Sequence, residues 1–146
     1  VAACGGAAPP PVANSTPKPA PPAPSNDVAD KLVHGHPTTA DFDALVEQFP
    51  SLSAARRSAI AALGTTNKAP IHVPTIQYEY VWVEKIACNG GTGRVNTQAL
   101  TGDLFGKMLD LLSFNCPDDA TEHAAYFDYS DDPQEQQMQR ELGSGH

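Results

Sequence analysis

Basic residues are scarce in this chain, long apolar runs are missing, and cysteine occurs only three times. Nine Lys and Arg stand against 17 Asp and Glu, a formal net charge of −8 over 146 residues. Lys18 is the only charged residue before Asp27, so the acidity belongs to the segment from 27 onward. Nucleic-acid affinity comes from cations set against phosphates, and electrostatic docking on anionic lipid needs a basic cluster. The composition argues against both. No apolar stretch reaches the roughly 18–20 residues that span a bilayer as a helix. There is no CxxC pair of the kind that builds zinc ribbons, no repeat of useful period, and no nucleophile elbow. The only Gly-Ser-Gly is Gly143-Ser144-Gly145, in a tail without a scaffold.

What is present begins with proline. Residues 9–24 hold eight prolines in sixteen positions, mixed with Ala, Ser, Thr and Lys18. Proline fixes φ and removes a donor, so this stretch favours extended polyproline II at about 3.1 Å per residue. It has too little apolar area to fold. The expected organisation is a disordered tether over 1–26, a linker over 27–37, one α+β domain over 38–143, and a tail over 144–146.

Ahead of the tether stands Val1-Ala2-Ala3-Cys4-Gly5, which resembles the lipobox of bacterial lipoproteins, an apolar residue and two small ones followed by an invariant cysteine. The resemblance implies a signal peptide ending at Ala3, a lipid on Cys4 and a partner in the membrane. Position 1 is Val where the family most often has Leu. Gly5 in place of Asp points to the outer membrane in Gram-negative members. A lipid on Cys4 leaves Cys88 and Cys116 as a pair, and exported chains form disulfides. The envelope, either the periplasmic side of the outer membrane or the exterior, is the expected location.

The domain reads in four parts. Thr38-Thr39-Ala40-Asp41 offers N-cap hydroxyls and an early acid, and Phe42, Leu45, Val46 and Phe49 follow at i, i+3, i+4, i+7. Pro50 ends that helix. Ser51 or Ser53 caps a second, Ala54–Leu63, with Gly64 at its C′ position. Beyond a loop, Ile76, Tyr78, Tyr80, Trp82, Ile86 and Cys88 alternate in the manner of a strand. Asn89–Gly93 reads as a hairpin turn. Arg94–Leu100, Lys107–Cys116 and Glu122–Tyr129 read as three more strands. Asp132 as N-cap with Pro133 at N1 opens a C-terminal helix running to about Leu142. The fold class is α+β: a helical hairpin, a four-stranded antiparallel sheet and a final helix.

Most apparent sites have plainer readings. Asp128, Ser130 and Asp132 match the first positions of a calcium loop, but Pro133 stands where Gly is required and Gln139 where the bidentate Glu belongs. His34-Gly35-His36 with His72, and His123 with the cysteines, are thin metal constellations. Gly91-Thr92-Gly93 lacks the third glycine of a dinucleotide fingerprint. No metal, cofactor or catalytic residue is expected. A Cys88–Cys116 bridge is expected, although plain meander geometry sets first and third strands too far apart for one. Tyr78, Tyr80 and Trp82 are core candidates first and a possible binding surface second. Two helices closing in Leu63-Gly64, then QYEYVWVE, look like the small outer-membrane assembly lipoproteins of the SmpA/OmlA type. Those share a helical pair and a three- or four-stranded antiparallel sheet, and are scaffolds. The functional expectation is a lipid-anchored binding or scaffold domain with an envelope protein as partner. A small periplasmic enzyme and a structural spacer are the alternatives.

Overall fold

The computed structural model describes residues 26–102 and 105–144. Cys4 and the Pro/Ala tether lie outside the described residues, as do Gly145 and His146.

The two expected helices form where capping and periodicity place them. Helix α2, Thr39–Gln48, begins at a reciprocal cap. The Thr38 hydroxyl accepts from the Asp41 amide at 3.2 Å, and the Asp41 carboxylate accepts from the Thr38 amide at 2.8 Å. A short 3₁₀ turn, Phe49–Ser51, absorbs Pro50. Helix α3, Ala54–Ala61, is capped by Ser53. Gly64 follows at φ +77°, where a Cβ would lie 2.6 Å from Ile71 Cδ1, so glycine is required on both conformational and steric grounds. The stretch read as linker carries a helix of its own, α1, Asn26–His34, which buries Leu32 in the core.

The largest correction concerns residues 76–88. They form no strand: Gln77–Lys85 is helix α4. The alternation of Tyr, Val and Trp favours a strand locally, yet a helical stripe runs through the same residues. Glu79, Trp82, Val83 and Ile86 are all fully buried, at i, i+3, i+4, i+7. A glutamate at the first position hides that stripe from any reading based on hydrophobicity.

The sheet is therefore mixed rather than antiparallel. Strands β1 (Ile71–His72), β2 (Arg94–Gly102), β3 (Met108–Asn115) and β4 (Glu122–Asp128) lie in the order β1-β4-β3-β2. β1 runs parallel to β4, while β4–β3 and β3–β2 are antiparallel. The register aligns Ile71, Phe127, Asp110 and Leu100 in one row and Ala125, Leu112 and Gln98 in the next. Helical residues Phe42, Leu45, Trp82, Val83 and Ile86 share one core with Leu112, Phe114, Ala125 and Phe127 from this face. Helix α5, Pro133–Ser144, leaves the end of β4 through the turn at residues 129–132.

The expected bridge is present: Cys88 and Cys116 are joined, with Cα atoms 5.4 Å apart. The spacing difficulty disappears because Cys88 follows a helix packed against the sheet rather than a strand within it. Asn89 and Gly90, at φ 57° and 102°, make the tight turn that brings the chain from α4 to β2. Gly93 then passes so close that a Cβ would sit 2.4 Å from the Val83 carbonyl oxygen and 3.0 Å from Cys88 Sγ.

Candidate functional site: a groove at the open end of the sheet

Successive core-facing residues of β3 change environment sharply. Phe114 is 4% exposed, Leu112 0%, Asp110 3%, and Met108 49%. The helical layer ends at Asp110. Across the same row, Phe127 is fully buried and Leu100 is 63% exposed.

Two contiguous depressions open there. One, of about 380 Å³, is lined by Ile76, Gln98, Ala99, Leu100, Asp110, Tyr129 and Glu135. The other, of about 580 Å³, is bounded by Lys107 and Met108 on one side and Gln136, Gln139 and Arg140 of α5 on the other. Tyr129 and Glu135 line both, so they form one groove between α5 and the β2–β3 hairpin. Leu100, Met108, Met138 and Leu142 are large apolar side chains left exposed on the two elements that flank it.

A proton-holding carboxyl lies behind the groove floor. Glu79 is fully buried on α4, and neither of its oxygens makes a hydrogen bond of good geometry. Burial, then the neighbouring Asp110 and Asp132 carboxyls, push its pKa up to about 9, so it is neutral at physiological pH. Asp110, at the floor, accepts a 2.8 Å hydrogen bond from Gln98 Nε2, and the Tyr80 hydroxyl donates to Gln98 Oε1. Asp132 ties two helices together. Its Oδ1 accepts from the Gln134 amide at 2.7 Å, capping α5, and its Oδ2 accepts from the Ile76 amide at 2.8 Å at the start of α4. A carboxylate at two helix N-termini also complements both dipoles.

Asp128 anchors the Lys107 end. It is 2% exposed, and its Oδ2 lies 2.6 Å from Lys107 Nζ and 3.3 Å from His72 Nδ1. Its Oδ1 accepts from the Ser130 amide at 2.9 Å and hydroxyl at 2.6 Å. Burial raises the Asp128 pKa, but the bonds from Lys107 and Ser130 and the His72 charge outweigh it, and the net shift is downward. Burial, with Lys107 and His36, lowers the His72 pKa against the pull of Asp128. His36 approaches His72 with ring centroids 5.9 Å apart and bonds Asp131 at 2.7 Å. The two histidines therefore do meet, yet among the described residues no group of three His, Cys, Asp or Glu is placed to hold a metal.

The aromatic trio does not form one surface. Trp82 is buried against Phe42. Tyr78 also touches Phe42, and its hydroxyl donates to Asp43 at 2.9 Å. Tyr80 reaches β2 instead. Helical geometry turns Tyr80 about 200° from each neighbour two residues away. Sequence reading missed Glu79, Asp110 and Gln98. The one available signal was a glutamate inside an apolar stripe of helical period. Among the described residues no helix is long and apolar enough to cross a membrane. No protein-family model, curated protein or solved structure matches this chain.

Proposed function

We propose that the chain is an exported binding module of a bacterial envelope, anchored through lipid on Cys4 and held off the membrane by the Pro/Ala tether. Its groove takes an apolar segment of another envelope protein. The observation that carries this reading is the groove itself, with the exposed apolar side chains of Leu100 and Met108 in its lining. Apolar surface left open beside a polar floor is the usual mark of an interaction site. A spacer would cover its sheet face completely, and this face is covered only as far as Asp110. The Cys88–Cys116 bridge supports an oxidising compartment.

The test has two parts. Intact mass of the gene product purified from bacterial membranes is expected to show a chain starting at Cys4 with acyl mass added, gaining about 2 Da on reduction as one disulfide opens. An unacylated chain with free thiols sinks the envelope reading. Separately, Leu100→Lys and Met108→Lys are expected to abolish capture of the envelope partner while leaving near-UV circular dichroism unchanged. Undiminished capture by both variants removes the groove from the account.

A further inference from the structure

The two edges of the sheet are treated very differently. On the β1 side, the strand is two residues long and packs beside α1. The chain on either side of β1 continues the cover: Gly64 accepts from the Tyr126 amide at 2.8 Å, and the Val73 amide donates to Asp128 at 3.0 Å. The opposite edge is β2, nine residues long and exposed along nearly its whole length. Outside its pairing with β3, the only described backbone partner along it is the Asn67 side chain, at 3.4 Å from the Gly102 carbonyl.

Open edges are normally blunted by lysine, proline, bulges or brevity. β2 has one of these, a register shift between Val95 and Thr97 at its start. From Thr97 to Gly102 the strand is regular and carries neither charge nor proline, in a molecule of net charge −8.

We infer that β2 pairs antiparallel with β2 of a second copy of this chain, about a two-fold axis at Ala99, to make a continuous eight-stranded sheet. In that register Thr97 faces Thr101 of the other copy, a favourable cross-strand pair. Ala99 faces itself and is too small to clash. Arg94, the only charge in the strand, is carried to opposite ends of the interface, so no like charges meet. This inference goes beyond the groove reading and does not depend on it.

The full-length chain is examined by sedimentation over a wide concentration range, with hydrogen exchange on the same samples. The expected result is a concentration-dependent dimer and slowed exchange of the Thr97–Gly102 amides as it forms. Ala99→Lys sets two lysines directly opposite each other and is expected to weaken the dimer roughly fivefold or more. Ala99→Val is expected to strengthen it, because a β-branched pair replaces Ala–Ala at an exposed position. A monomer at every concentration overturns the inference. So does a dimer whose affinity neither substitution changes, or one whose new protection falls outside β2.

Discussion

The closed and open ends of one sheet face are built on opposite principles. At the closed end, Phe114 and Leu112 meet Trp82, Val83 and Ile86 in an apolar core, and the Cys88–Cys116 bridge fastens α4 to the end of β3. At the open end, the same strand presents Asp110 and then a half-exposed Met108, backed by a carboxyl that holds its proton. Stability is concentrated where the chain excludes water and is cross-linked. The open end retains buried charge, unsatisfied oxygens and exposed apolar side chains, features that cost stability.

The contrast can be broken from the closed end first. Trp82→Ala empties the centre of the core and is expected to cost about 3–5 kcal/mol by denaturant unfolding. A loss under about 1 kcal/mol contradicts the placement of that side chain. Replacing Cys88 and Cys116 with serine is expected to cost roughly 3–4 kcal/mol, since the bridge spans a separation of 28 residues and long closed loops restrict the unfolded chain. An unchanged midpoint means that the bridge is not formed in solution.

At the open end the sign reverses. Glu79→Gln is expected to stabilise. The unfolded carboxyl releases its proton near its ordinary value of 4.5 and the folded one only near 9, so the unfolded state binds fewer protons between those values. Stability from this group is therefore fully present below about pH 4.5 and falls as pH rises toward about 9. At pH 7 the Gln variant should gain up to about 3 kcal/mol, shrinking to nearly nothing at acid pH. A gain independent of pH points to a cause other than the proton. Lys107→Ala removes a partner from buried Asp128, which keeps its two bonds from Ser130; the expected loss is about 1–2 kcal/mol by thermal unfolding. Leu100→Lys, at the exposed end of the row, should change stability by less than about 0.5 kcal/mol. A larger loss shows that Leu100 belongs to the core after all.

The sequence made some of this architecture legible and hid the rest for definable reasons. Helices α2 and α3 were readable because Thr38, Ser53, Pro50 and Gly64 are local signals whose chemistry does not depend on the rest of the fold. The same is true of Asp132 and Pro133 at α5. Strands β2, β3 and β4 were readable from turns and alternation. Helix α4 was not, because tertiary packing of Trp82, Val83 and Ile86 overrides the β propensity of its Tyr and Val residues. That single misreading also predicted an antiparallel first strand in place of the short parallel β1, and set the cysteines too far apart. The groove was illegible for another reason: it depends on where the helical layer stops, which is a property of packing and not of any local pattern.

The central claim is that recognition takes place at the open end and not at the stapled one. The most direct measurement places a photo-activated cross-linking residue at position 100 or, as the control, at exposed position 84 on α4, in the full chain expressed in bacterial cells. The account predicts a specific adduct from position 100 and none from position 84. An adduct from position 84 alone, or from neither position, would contradict it.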